Sequence, residues 1–223
     1  MRVVVINGSP KGEKSDVMKL TRAFLEGMDE ADYEVIDTMK ERVNPCIGCY
    51  SCWWKTPGEC VQKDGMEQVL KKITGADLVI WSFPLYCYGM PSNLKVYIDR
   101  LLPLSTPVQE VDEEGNTYHP SREEHEVKML MISGCGFPNK EGNYDGAIFA
   151  FQKMFYNAPI ITCVESPMLS VPEAAPLAKE YLEHVRKAGE EYKKTGAISK
   201  ETQELLDTPM IDPEEYRRIC SGM

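Results

Sequence analysis

Arg2-Val3-Val4-Val5-Ile6-Asn7-Gly8-Ser9-Pro10-Lys11-Gly12-Glu13-Lys14-Ser15 is the stretch that decides the fold. From Arg2 to Asn7 it is a short, β-branched run without polar alternation, the pattern of a strand buried on both faces. Gly, Ser and Pro then make a turn, and Asp16 to Met28 follows with Val17, Leu20, Phe24 and Met28 at helical spacing. Buried strand, tight turn and amphipathic helix together open a βαβ unit.

The same alternation continues outward. Tyr33 to Asp37 reads as a second strand, and Asp64 to Ile73 as a helix with Asp64 at its N-cap. Asp77 to Phe83 is a third strand, ended by Pro84, and Ser92 to Leu102 the next helix. Residues 103–126, rich in Pro, Glu and Gly, read as an inserted surface loop. Val127 to Ser133 and Pro159 to Glu165 are the fourth and fifth strands, with a helix over Ala147 to Phe155 between them and a long one over Glu173 to Lys194. One domain is expected over 1–195. The acidic, partly helical tail 196–223 is expected to lie on that domain or on a partner subunit. The architecture is an α/β doubly wound parallel sheet, whose ligands bind beyond the carboxyl ends of the strands.

Composition narrows the function. A formal net charge of -10 over 223 residues repels phosphate backbones and disfavours nucleic acid as a partner. No apolar run has membrane-spanning length, and Met1 to Ile6 runs directly into a structured motif, so a cytoplasmic protein is expected. In a reducing compartment its eight cysteines point to metal ligands, redox groups or small buried residues.

Three loops at successive strand ends carry unusual chemistry. Asn7 to Ser15 offers backbone amides, the hydroxyls of Ser9 and Ser15, Lys11 and Lys14, and a helix N-terminus, a set suited to a phosphate monoester. The spacing is neither G-x-G-x-x-G nor a P-loop, and an ordinary capped turn is the alternative. Pro84-Leu85-Tyr86-Cys87-Tyr88-Gly89-Met90-Pro91 presents an apolar, aromatic surface for a flat ring, or aromatic packing over the sheet edge. Gly134-Cys135-Gly136-Phe137, after the fourth strand, lets backbone amides approach a ligand.

Val5-Ile6-Asn7-Gly8-Ser9-Pro10-Lys11, Pro45-Cys46-Ile47-Gly48-Cys49-Tyr50-Ser51-Cys52, Cys60 with Asp64-Gly65-Met66, Pro84-Leu85-Tyr86, Lys95 with Asp99-Arg100, and Gly134 to Phe137 resemble the NADPH-dependent FMN reductases of the flavodoxin-like proteins, near their iron-sulfur flavoprotein branch. The resemblance implies a flavodoxin-like five-stranded sheet of order 2-1-3-4-5 in three α/β/α layers. It implies that Ser9, Lys11 and Ser15, with Asp16 and Val17 beside them, hold the FMN phosphate. Pro84, Leu85, Tyr86, Cys87, Tyr88 and Gly89 would flank the isoalloxazine, and Gly134, Cys135, Gly136 and Phe137 would close its other edge. Where the family has a polar residue followed by Thr before the first helix, this chain has Lys14-Ser15-Asp16.

The implied activity is that of an FMN-dependent oxidoreductase with NAD(P)H as co-substrate and a quinone, flavin or metal chelate as small-molecule acceptor. The alternative is an electron carrier exchanging with protein partners, a ferredoxin-type donor among them. A homodimer or homotetramer is expected. His119, in the insertion, is a group that could help cover the flavin.

Cys46, Cys49, Cys52 and Cys60, within the loop 44–62, form the pattern C-x2-C-x2-C-x7-C. Three readings stand. The four thiols suit a 4Fe-4S cluster, as in the iron-sulfur flavoproteins that the chain resembles. They could hold zinc, although structural zinc draws two well-separated C-x2-C hooks. Or they pack under the loop without metal, with or without forming a redox pair. Cys87, Cys135 and Cys163 are most simply small buried residues, with Cys135 the one expected to approach the flavin.

Overall fold

Val3, Val4, Val5 and Ile6 are all buried in the computed structural model, which describes residues 1–41, 43–122 and 125–222. In chain order the elements are β1 (Val3–Asn7), α1 (Asp16–Gly27), β2 (Tyr33–Asp37), α2 (Ser51–Trp54), α3 (Met66–Thr74), β3 (Leu78–Pro84), α4 (Ser92–Asp99), β4 (Glu110–Val111), β5 (Thr117–Tyr118), β6 (Lys128–Gly134), α5 (Asp145–Met154), β7 (Ile160–Cys163), α6 (Ala175–Thr195), α7 (Lys200–Asp207) and α8 (Pro213–Cys220).

The main sheet has five parallel strands in the order β2-β1-β3-β6-β7, with Val3 opposite Tyr33 on one side and Leu78 on the other. Counted without the small β4–β5 hairpin of the insertion, this is the expected order 2-1-3-4-5. Alternate residues of each strand face opposite layers. Val3, Val5, Leu78, Ile80, Leu130 and Ile132 pack with Met18, Phe24 and Val185 of α1 and α6. Val4, Ile6, Val79, Trp81 and Met131 pack with Leu70, Leu94 and Phe151 of α3, α4 and α5. Both faces are covered, which is why the strands read as continuous apolar runs.

Several boundaries differ from expectation: α3 begins at Met66, with Gly65 rather than Asp64 at its N-cap, and α6 begins at Ala175 rather than Glu173. α4 stops at Asp99 rather than Leu102, because Arg100 turns out of helical geometry and Pro103 follows. β7 ends at Cys163, before the left-handed Glu165 at φ 55°. α5 begins two residues early, at Asp145. The tail packs on the domain through α7: Leu206 lies in the α1–α6 core, and its carbonyl accepts from Tyr181 Oη at 2.8 Å. Of the inserted loop, Glu123 and Glu124 lie outside the described residues.

Candidate functional site

The three loops singled out above all leave the carboxyl edge of the sheet, from β1, β3 and β6. The order turns about β1 and β3, which places a crevice at that edge. In the first loop Gly12, at φ 58°, lets the chain wind into a short 3₁₀ turn before α1. Ser15 caps α1, its Oγ accepting from the Met18 amide at 3.4 Å, and Ser9 Oγ accepts from the Lys11 amide at 3.3 Å. Each hydroxyl keeps its own proton to donate. Ser9 and Ser15 are buried and Lys11 is exposed. The amides of Asp16 and Val17 belong to the first turn of α1, where no intrahelical carbonyl is available to them. Val17's side chain is buried in the core, so only its backbone can face a ligand. The Asp16 carboxylate is turned aside: it accepts from the Ser170 hydroxyl and lies 3.4 Å from Lys19 Nζ. Lys19 thus partly offsets the charge which the departure at this position sets near a phosphate.

The second loop closes as a two-residue turn, Tyr86 and Gly89 exchanging both backbone hydrogen bonds at 3.0 Å. Its central residues, Cys87 and Tyr88, have φ of 49° and 62°. Such a turn favours Asn-Gly, and a non-glycine pair there stores strain of a kind that gathers at ligand sites. Cys87 is exposed at the tip, contrary to the expectation of a small buried cysteine, because the positive φ turns it out of the sheet edge. Tyr86 and Tyr88 are exposed, while Leu85 is buried and Pro84 half-buried. Tyr88 stacks on Phe137 of the third loop, ring centroids 5.8 Å apart and planes 7° from parallel.

In the third loop Gly136 and Phe137 reach the surface. Gly134 and Cys135 do not. A Cβ on Gly134 would stand 2.8 Å from Ser166, so this glycine serves the close approach of β6 to the turn after β7. Cys135 packs with Leu85, Tyr144, Ala147 and Val164, and burial pushes its thiol above the usual range. The thiol expected near the flavin is a core group. Cys163 is buried as expected.

His119 does not lie over these loops. The His119 ring lies against Trp53, centroids 4.7 Å apart and planes tilted by 49°, and its Nδ1 meets the Val108 carbonyl at 2.8 Å. It also lines a cavity of about 1040 Å³ at the amino ends of β6 and β7, where none of the candidate flavin residues lies. The reason is topological. α4 runs back from the carboxyl edge, so whatever follows it starts at the opposite edge.

The four cysteines line one small cavity of about 20 Å³, together with Tyr50, Asp99, Arg100 and Leu102. Cys46 and Cys49 are exposed, Cys60 is half-buried and Cys52 is buried. Burial, and then the neighbouring Cys60, pushes the Cys52 thiol up, while a hydrogen bond with Ser51 holds Cys49 down. Among the described residues no three His, Cys, Asp or Glu side chains are drawn together tightly enough to hold a single metal ion. The segment is anchored by Trp53, whose Nε1 donates to the Leu102 carbonyl at 3.1 Å.

Lys95 and Asp99, one helical turn apart on α4, form an ion pair. Arg100 carries more than sequence reasoning assigned it. Its guanidinium forks onto Asp64 with both contacts at 3.0 Å, and both side chains are almost wholly buried. Asp64 also accepts from the amides of Asn44 (2.9 Å) and Met66 (3.1 Å), and Arg100 donates to the Asn44 carbonyl at 2.6 Å. This clamp closes the base of the cysteine loop. A signal existed in the sequence: Arg100 falls three residues after Tyr97, so just past the end of α4 it continues the face that Tyr97 buries.

Comparison with known proteins bears on the fold and the family. An iron-sulfur flavoprotein of Archaeoglobus fulgidus is 33% identical over 105 residues, 46% of this chain and 46% of the relative. Another, from Methanocaldococcus jannaschii, is 35% identical over 105 residues, 47% of this chain and 53% of the relative. The matched segment thus spans about half the length of these relatives. An FMN-dependent NADH-azoreductase of Bacillus anthracis, solved in complex with FMN, superposes with a TM-score of 0.62 at 17% identity, covering 86% of this chain and 100% of that one. That likeness is one of fold. The model of the family described as having the flavodoxin-like fold matches residues 1–156, and the chain belongs to that family.

Proposed function

We propose that the chain is an FMN-dependent oxidoreductase, taking reducing equivalents from NADH or NADPH and passing them to a small acceptor such as a quinone, a flavin or a metal chelate. The observation that carries this is the meeting of two unlike surfaces at one sheet edge. A helix N-terminus with uncommitted amides and two hydroxyls suits a phosphate. Exposed Tyr86, Tyr88 and Phe137 suit a flat aromatic ring.

The donor set fits FMN. Ser9, Ser15, Lys11 and the amides of Asp16 and Val17 would hold the phosphate; Tyr86, Tyr88, Gly136 and Phe137 would face the ring. When bound, FMN supplies the hydride and electron chemistry itself, and the chain supplies orientation and shielding. No side chain need act as acid or base.

A second reading has its own support. The four-thiol cavity, with similarity to iron-sulfur flavoproteins, favours a 4Fe-4S cluster on Cys46, Cys49, Cys52 and Cys60. Zinc needs four ligands about 2.3 Å from one point, and the thiols are not gathered that tightly. A cubane takes one thiolate on each iron, so its ligands stand further apart. The enclosed space is room for about one water. Cys46 and Cys49 are exposed, so making more room there breaks no buried packing. When bound, a cluster supplies single-electron transfer, which suits exchange with a ferredoxin-type partner. A homodimer or homotetramer in the cytoplasm is part of this proposal. Among the described residues no helix is long and apolar enough to cross a membrane.

Turnover separates the two readings. FMN-loaded protein is expected to oxidise NADH or NADPH with quinone, ferric chelate or nitroaromatic acceptors at about 1 s⁻¹ or faster. Consumption no faster than with free FMN, alongside rapid exchange with a reduced ferredoxin, would leave the carrier reading standing instead.

A further inference from the structure

Among the described residues Arg100 is the one buried basic side chain, 1% exposed. It shares the wall of the small cavity with all four cysteines. Its two terminal nitrogens are committed to Asp64 and to the Asn44 carbonyl. Its Nε–H is buried and has no partner. Buried donors are almost always paired, so an orphan on a cation, in the wall of a four-thiol cavity, needs a reason.

Resting on the cluster reading above, we propose that Arg100 is the positioning and charge-setting residue of the four-cysteine site, closing the loop at Asn44 and Asp64 and donating from Nε into the four-cysteine cavity, so that the site accepts an electron more readily than four thiolates alone would allow. The step concerned is uptake of one electron from a reduced flavin or a ferredoxin-type protein, with no bond made or broken. Four thiolates and a cluster form an anion, and reduction adds a further negative charge. A fixed cation and a donated hydrogen bond favour the reduced form more than the oxidised one. Arginine suits this because its planar fork holds both Asp64 oxygens and the Asn44 carbonyl and still offers a separate N–H, one contact more than lysine's three donors supply.

The test uses wild type, Arg100→Gln and Arg100→Lys, purified without oxygen. Iron, sulfide and FMN per chain are measured, and the visible absorption is titrated against potential. All three are expected to carry FMN, since Ser9, Ser15 and Tyr88 lie elsewhere. Arg100→Gln is expected to titrate at a more negative potential, by at least about a tenfold change in the reduced-to-oxidised ratio, or about 59 mV for one electron. Arg100→Lys should shift the same way by less. Variant potentials equal to wild type would overturn the inference and reduce Arg100 to a loop clamp. Wild type with FMN but no iron would overturn the cluster reading first, and this inference with it. Should Arg100→Gln not fold, Arg100→Lys decides by the same shift.

Discussion

Asp64→Ala is expected to lower stability by about 3–5 kcal/mol, because it leaves Arg100 charged, buried and unpaired. The pair is worth little as a net gain, since both groups give up water to form it. Removing one partner is what costs. Besides Arg100, the substitution strips the Asn44 and Met66 amides of their acceptor, so the base of the cysteine loop and the start of α3 loosen together. Urea denaturation of both proteins at neutral pH measures the difference, and a loss below about 1 kcal/mol would show that the guanidinium finds water or another partner. Acid gives a second view of the same group. Burial by itself raises the Asp64 pKa, but hydrogen bonds from Arg100 and from the Asn44 and Met66 amides outweigh it and bring it from 3.8 to about 2. A folded-state value below the unfolded one means the stabilisation is present in full above about pH 4. It is lost as the pH falls through about 2, and amounts to roughly 2 kcal/mol. The Asp64→Ala protein should lack that part of the acid dependence.

Gly189→Ala is expected to be nearly as costly, against the usual direction for a helix interior. Alanine normally favours a helix over glycine by about 1 kcal/mol. Here a Cβ on Gly189 of α6 would stand 2.0 Å from the Phe24 carbonyl oxygen of α1. One on Gly27 of α1 would stand 1.9 Å from the Arg186 carbonyl oxygen of α6. The two helices cross glycine against backbone at two points, and backbone cannot rotate away as a side chain can. Separating them would loosen Phe24, Val185 and Tyr192 in the core between α1, α6 and the sheet. The expected loss is about 3 kcal/mol, seen in thermal denaturation as a fall of roughly 6–12 °C. A rise in melting temperature would mean that the crossing is looser than the structure shows.

Those two residues mark where sequence reading stops. The strands were legible because Val3 to Ile6 and Leu78 to Phe83 are buried on both faces, which writes an unbroken apolar run into the chain. The carboxyl-edge loops followed from the strand ends. Lys95 and Asp99 were legible as a pair because one helical turn separates them. Asp64 and Arg100 lie 36 residues apart, and only folding brings them together. The same limit explains His119. Its place depends on α4 having carried the chain to the far edge of the sheet, where Trp53 meets it. Cys87 shows a different one: its exposure comes from a positive φ that neither it nor Tyr88 advertises as Asn-Gly would. Nor does composition tell a glycine that faces a ligand from one that admits a neighbouring segment, as Gly134 and Gly189 show.

The central claim is that the carboxyl edge holds FMN by its phosphate as well as its ring. Titrating the flavin-free protein with FMN and with riboflavin, followed by flavin fluorescence, tests it most directly. One FMN per chain is expected, with riboflavin weaker by at least about tenfold, or 1.4 kcal/mol, since it cannot use Ser9, Ser15, Lys11 and the first turn of α1. No binding of either flavin, or equal affinity for the two, would contradict the account.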